Sequence, residues 1–343
     1  MRIALDAMGT DRHPAVEVEG AVQALRELPD GFTVILVGQR ERIEAELERF
    51  PDVPRNRLEV VHATERIEQG ESPATAARRK PNSSVVVGLG LLKEGSADAF
   101  VSAGSTGAVM AASLLLLRPL PGVDRPPIGT VLPTSAEPVI LVDAGANVDS
   151  KPVHLLQFAR LGAIYARDVL RRENPRVGLL NIGEEPEKGD ELAVEAHGLL
   201  AESGLNFVGN IEGRDIITGT CDVLVADGFV GNVLLKFYES VAGYFLRILN
   251  REQERTGGQL DLRGIISALD YTEYGGAPLL GLNGISIICH GGSPPRAIKN
   301  AIRAAIRAVE NDMVRNMMRE LTNSSTMGGS SIGPTVGHMA EGA

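Results

Sequence analysis

Short β-branched runs that stop at an Asp or a Gly-rich turn, each followed by a longer helical pattern, recur along nearly the whole chain and constrain the fold more than any other feature. The spacing predicts strands over Ile3–Asp6, Thr33–Gly38, Leu58–His62, Ala99–Ala103, Ile128–Leu132, Val139–Asp143, Val177–Ile182, Asn206–Asn210, Asp222–Asp227 and Ile285–Cys289. Between them it predicts helices over Pro14–Leu28, Arg40–Phe50, Ser105–Leu117, Pro152–Arg171, Glu191–Ser203 and Phe229–Leu249. Strands that read as continuous apolar runs are buried on both faces, which helices joining parallel strands achieve. The expected fold is therefore a three-layer α/β sandwich with a mostly parallel sheet. The carboxyl ends of parallel strands line one crevice where ligands bind, so the Asp- and Gly-bearing turns are expected to converge on a single site.

Composition narrows the function classes. The 343 residues carry 34 basic and 44 acidic side chains, a net charge of −10, whereas gripping nucleic acid or carpeting an anionic membrane takes a basic surface. Two cysteines, Cys221 and Cys289, form neither a disulfide framework nor a C-x-x-C zinc motif, so a reduced, cytoplasmic protein without a metal site is expected. Asp6 interrupts the N-terminus before a signal-peptide core forms, and Lys93, Arg118, Glu239 and Arg247 cut the longest apolar stretches, so no spanning segment is expected. Residues 1–321 read as one α/β domain, with a subdomain division at the Pro-rich turn 118–127, and 322–343 read as a disordered tail. With 13 aromatic residues and no Trp, the core must be aliphatic.

Nucleotide and nucleophile motifs are missing. There is no G-x-x-x-x-G-K-[ST], Gly88-Leu89-Gly90 lacks the third glycine of a dinucleotide fingerprint, and there is no G-x-S-x-G elbow. The best anion cradle is Ser102-Ala103-Gly104-Ser105-Thr106-Gly107. It follows a strand and opens a helix, where free N–H groups and hydroxyls favour phosphate; an ordinary N-cap turn reads equally well. Lys188, in a loop after a strand, is either solvated or aimed into the crevice to neutralise negative charge. Asn232, one turn into a helix, either donates to a carbonyl or satisfies nearby backbone. Asp6, Asp11, Asp143, Asn147 and Asp227 sit in the turns as site candidates or helix caps, and His290 ends a strand as a site candidate or a packed histidine.

The chain resembles the bacterial phosphate acyltransferase family, PlsX. The blocks DAMGTD, SAGSTGA, DAGANVD, LLNIGEEPEKG, IEGRDI, DVLVADGFVGNVLLK and EYGGAPLLGLNGISIICHG carry the resemblance in collinear order over roughly residues 1–320. It implies a fold similar to phosphotransacetylases and isopropylmalate dehydrogenases. It also implies synthesis of acyl phosphate from acyl–acyl carrier protein and inorganic phosphate, with no organic cofactor. The resemblance further implies a cytosolic homodimer, peripheral membrane contact through a helical hairpin at about 237–270, and a membrane glycerol-3-phosphate acyltransferase as partner. On this reading Ser102, Gly104, Ser105 and Thr106 hold phosphate, and Lys188 and Asn232 polarise the thioester carbonyl. The sequence departs from the family pattern at Thr10, where Gly is expected, and at Ser105, where Asn is expected. Alternatives are a phosphotransacylase using coenzyme A thioesters, a dehydrogenase of similar fold, and a scaffold that only binds acyl carrier protein.

An acidic carrier protein needs a basic landing place on a −10 molecule. Arg296, Lys299, Arg303 and Arg307 fall on one helical face and Arg78, Arg79 and Lys80 form a second cluster, so these are expected to steer it, with a solvated face as the plain alternative. Phe229, Val233, Phe237, Val241 and Phe245 recur every four residues, an apolar stripe expected to be mostly core or dimer interface. Seven of the 13 aromatic residues lie between 229 and 274, which singles out this segment for the acyl chain, a partner copy or the membrane.

Overall fold

A computed structural model describes residues 1–257 and 274–327, with side chains described to residue 322. In chain order the elements are β1 (Arg2–Asp6), α1 (Ala15–Glu27), β2 (Thr33–Gly38), α2 (Arg40–Leu47), β3 (Leu58–His62), α3 (Pro73–Arg79), α4 (Ser84–Lys93), β4 (Ala99–Ser102) and α5 (Thr106–Leu116). There follow β5 (Gly129–Leu132), β6 (Val139–Val142), α6 (Pro152–Asp168), β7 (Val177–Leu180), α7 (Glu191–Ala201), β8 (Phe207–Ile211), β9 (Val223–Val225) and α8 (Gly228–Arg255). The chain continues through β10 (Ala277–Leu279), β11 (Ile285–Ile288), α9 (Pro295–Glu310) and α10 (Met313–Met327). All ten expected strands and six expected helices are present, with ends within a few residues. The short β10, and α3, α4 and α10, carry too little alternation or too mixed a pattern to be delimited from sequence, whereas α9 contains the helical face read at Arg296–Arg307. Helix α10 runs six residues into the segment expected to be disordered, and the rest of that segment lies outside the described residues.

The strands form two sheets where a single one is expected. The first has the order β10-β11-β4-β1-β2-β3 and the second β5-β6-β9-β7-β8. Pairing is parallel except at β10–β11 and β5–β6, the two edges that face each other. There an isolated antiparallel bridge joins Ile128 to Leu279, and the Leu280 N–H donates to the Pro127 carbonyl at 3.0 Å. The sheets thus meet edge to edge, and the chain crosses from one to the other through the Pro-rich turn at 118–127.

Helices cover both faces because the inner strands are apolar throughout: β4 and β6 are buried at every position. The core is aliphatic, and among the described residues the buried aromatics are Phe32, Phe100, Phe158 and Tyr165. One core cluster draws on both sheets, including Ile3, Leu5, Val142, Phe158 and Ile298. The apolar stripe of α8 is the exception. Phe229 is 63% exposed, Val233 56%, Phe237 67% and Phe245 49%, and α8 buries only Gly228, Gly231 and Ala242. The expectation that this stripe is core does not hold within one chain. No helix among the described residues is long and apolar enough to cross a membrane. The outer part of the expected hairpin, with Leu262, Ile265, Ile266 and Leu269, lies outside the described residues.

Candidate active site

The loops after β1 and β4 are built around one buried carboxylate. Asp6, 1% exposed, accepts from the Met8 N–H at 3.0 Å and from the Ser102 hydroxyl at 2.6 Å. Ser102 Oγ in turn accepts from the Gly104 N–H at 3.0 Å. Gly9 lies so close to this turn that a Cβ there would sit 2.7 Å from the Gly104 nitrogen. Asp6 and Ser102 therefore shape the cradle from beneath, with the hydroxyl of Ser102 already committed. Ser105 N-caps α5, and its side chain makes no capping hydrogen bond. Exposed Thr106 begins the helix, whose first-turn N–H groups have no intrahelical partner. The substituted Thr10 has negative φ, since the non-glycine residues with positive φ among the described ones are Arg118, Arg171 and Asp312. Its N–H donates to Glu17 Oε1 at 2.6 Å, deep in the fold.

The second sheet repeats the device at Asp143, which is fully buried. It accepts from the N–H groups of Ile128 (2.9 Å), Gly145 (3.1 Å), Ala146 (3.0 Å) and Asn147 (2.7 Å), and from Asn147 Nδ2 at 2.9 Å. Burial pushes its carboxyl above the usual aspartate range and these donors oppose that shift. Asn147 also donates to the Pro126 carbonyl at 3.2 Å. Asp227 caps α8, accepting from Phe229 N at 2.8 Å and Val230 N at 3.1 Å. Asp143, Asn147 and Asp227 thus serve local structure. Gly231 then lets α8 press onto this loop, because a Cβ would fall 1.9 Å from the Asp143 carbonyl oxygen.

A cavity of about 340 Å³ lies where the two sheets meet, and of these loops the one after β4 contributes Thr106 to it and the one after β6 Ala144 and Gly145. Thr106 at the start of α5, Thr130 of β5, Gly145 after β6, and Cys289 and His290 after β11 line it, with Asn232, Leu235, Lys236 and Glu239 of α8. The four α8 residues are spaced i, i+3, i+4, i+7, one face of the helix. Cys289 is fully buried, its thiol pushed up to about 12 by burial and by the nearby Glu17 carboxylate, which suits packing and not nucleophilic attack. His290 is exposed, and its Nδ1 accepts from Gly292 N at 3.3 Å. A second, apolar cavity of about 580 Å³ lies against the other face of α8, lined by Leu179, Ile182, Val230, Val233, Leu234 and Phe237 among others. Helix α8 is thus a partition between a mixed chamber, called the polar cavity below for its Thr, Asn, Lys, Glu and His side chains, and a more apolar one.

The structure brings Thr106, Asn232 and His290 to the polar cavity; Ser102, Gly104, Ser105, Asp6, Asp11, Asp143, Asn147 and Lys188 do not line it, and Asp227 lines the second one. Lys188 is exposed, held through its backbone by Glu185 and Asn181, and lines neither cavity. Sequence reasoning missed Lys236, Glu239 and Thr130; the i, i+4, i+7 spacing from Asn232 was the available signal. Exposed Asp11 is tied to the β11 loop through its N–H, which donates to the Gly291 carbonyl at 3.0 Å. Of the basic residues, Lys299 pairs with Glu27 at 2.6 Å and Lys80 with Glu71 at 2.6 Å, so neither is free to meet a partner as expected. Arg78, Arg79 and Arg307 are exposed, and Arg296 and Arg303 are half-buried.

A mostly parallel α/β scaffold with N–H and hydroxyl donors at its strand ends has the features of an enzyme that positions phosphate. The comparisons with known proteins agree. Residues 1–316 match the family model described as fatty acid synthesis protein. A phosphate acyltransferase from Heliobacterium modesticaldum is 53% identical over 309 residues, covering 88% of this chain and 92% of the relative. Another from Desulforamulus reducens is 50% identical over 308 residues, covering 88% and 91%. The chain belongs to this phosphate acyltransferase family, PlsX, and is a transferase. Among solved structures, a phosphotransacetylase from Streptococcus pyogenes shares the fold with a TM-score of 0.59 at 20% identity, covering 90% of this chain and 94% of that one. The EutD phosphotransacetylase from Staphylococcus aureus does so with a TM-score of 0.57 at 18% identity, covering 91% and 94%.

Proposed function

We propose that the chain makes acyl phosphate from acyl–acyl carrier protein and inorganic phosphate, for phospholipid synthesis. Beyond family membership, the observation that carries this reading is the polar cavity, where the open first turn of α5, Asn232 and His290 face one another across the junction of the sheets. A phosphate oxygen attacks the thioester carbonyl carbon, the tetrahedral oxyanion collapses, and the carbon–sulfur bond breaks to release the carrier thiolate, which takes up a proton. Phosphate is itself the nucleophile, so position and oxyanion stabilisation suffice. In this reading Gly104, Ser105 and Thr106 hold phosphate, Ser102 and Asp6 keep that turn in shape, and Asn232 donates to the oxyanion. Lys188, exposed in the loop after β7, stands outside this cavity and is assigned no step in the reaction.

The exposed stripe Phe229, Val233, Phe237 and Phe245 supports a homodimer or another covered state, because an isolated chain would leave these rings in water. Cytoplasmic location, peripheral membrane contact and delivery of the product to a membrane glycerol-3-phosphate acyltransferase complete the reading. Arg78, Arg79 and Arg307 are the exposed cations offered to an acidic carrier protein. Phosphate-dependent thiol release, measured with acyl–acyl carrier protein and acyl–coenzyme A over a series of chain lengths, tests the reaction. Turnover with the carrier-protein donor is expected; turnover with coenzyme A donors alone would assign a phosphotransacylase, and carrier binding without turnover a scaffold.

A further inference from the structure

We propose that Lys236 is the phosphate-binding cation of the polar cavity, with Glu239 as the residue that orients it and sets its affinity for anions. The proposal rests on the reading of the cavity as the phosphate site. Among the described residues that line it, Lys236 is the sole Lys or Arg, one helical turn beyond Asn232. Its Nζ meets Glu239 Oε2 at 2.8 Å, an i, i+3 pair on the wall. The two ends of that pair differ: the Glu239 side chain is 19% exposed and that of Lys236 55%. The carboxylate is thus the anchored partner and the ammonium the reaching one. An ammonium has three donors, and the Glu239 bond uses one, so two remain for a tetrahedral anion in the cavity. A carboxylate in a cavity that must accept a dianion opposes binding, so Glu239 has a cost that only its hold on Lys236 offsets.

The chemistry needs such a group. The first-turn N–H groups of α5, the Thr106 hydroxyl and the Asn232 amide offer only partial positive charge, whereas phosphate brings close to two full negative charges. A compact, strongly hydrated ammonium that swings on a flexible stem can collect phosphate from solvent and deliver it beside Asn232. Lys188, expected from the sequence to neutralise this charge, lines neither cavity.

The test measures binding of inorganic phosphate to the full-length protein by calorimetry without acyl donor, together with the KM values for phosphate and for acyl–acyl carrier protein. Lys236→Met keeps the length and apolar stem. It is expected to weaken phosphate binding about tenfold or more, as loss of a charge-assisted hydrogen bond does, while the KM for the acyl donor stays within about twofold. Lys236→Arg is expected to recover most of the affinity. Glu239→Gln is expected to tighten phosphate binding about twofold or more, opposite in sign to the lysine variant. A phosphate Kd that Lys236→Met leaves within twofold, or shifts of the same sign in Lys236→Met and Glu239→Gln, would overturn the proposal. Wild-type protein that binds phosphate through Lys236 yet forms no acyl phosphate would uphold this assignment and overturn the proposed reaction. If Lys236→Met is poorly folded by circular dichroism, Lys236→Gln and the Glu239→Gln sign carry the same decision.

Discussion

Burying a carboxylate is costly unless donors replace its water, and the two strand-end aspartates meet that demand differently. Asp143 collects five N–H donors and welds the loop after β6 to the one before β5. Asp6 accepts from a hydroxyl that itself shapes the turn before α5. Glu17 is less well served: it is fully buried, one oxygen accepts from Thr10 N, the other has no partner, and its carboxyl is pushed up to about 7, mainly by burial. With the folded value above the ordinary 4.5, the native state holds a proton that the unfolded chain gives up. The stability this lends is complete below pH 4.5 and disappears as pH rises through about 7, a loss on the order of 3 kcal/mol. Urea midpoints from pH 5 to 8.5 are expected to fall for wild type and to flatten for Glu17→Gln, which should be the more stable protein above pH 7. At the same scale, Asn232→Ala is expected to lower kcat by about 10²–10³, the typical effect of losing an oxyanion donor. Lys188→Ala is expected to stay within a few-fold of wild type, and steady-state kinetics of both variants checks the contrast. The motifs announced these residues but not their roles, because an Asp after a strand caps, welds or reacts according to which N–H groups the fold later aims at it.

Helix α8 shows what periodicity can and cannot reveal. Its apolar stripe is plain in the sequence, yet whether the stripe meets core, solvent or another chain depends on what the remainder of the fold leaves uncovered. The polar stripe Asn232, Lys236, Glu239 is masked by the apolar residues interleaved with it. The close seat of α8 on the β6 loop depends on glycine. Gly231→Ala drives a methyl group to within van der Waals overlap of the Asp143 carbonyl, and is expected to destabilise by at least about 2 kcal/mol, read from the urea midpoint. Glycine at that place was visible in DGFVGN; its reason was not, since the opposing carbonyl lies 88 residues earlier, at Asp143.

At the level of the whole molecule, the strand pattern revealed nearly every strand, but not the break into two sheets. Both antiparallel edges come from short strands, and a sheet edge is defined by which strand fails to pair, information that no local window contains. The exposed apolar face predicts an assembly: sedimentation velocity of wild type is expected to show a dimer, and Phe237→Asp, at a 67% exposed position, to shift it toward monomer while leaving the circular dichroism spectrum intact. The seat of α8 also governs how far any event on that face can reach. The helix has 28 residues, about 42 Å, and is held along its first half, where Gly228 and Gly231 touch backbone, Tyr238 donates to the Pro133 carbonyl at 2.9 Å and Ala242 is buried. Lys236 stands about 7.5 Å beyond Gly231 and Arg255 about 36 Å. Lys236 lies inside the span fixed between Gly231 and Ala242, so a sway of the exposed end, which begins beyond Ala242, does not lever on it. The far half of the helix can yield to whatever covers it while Asn232 and Lys236 keep their place in the cavity wall.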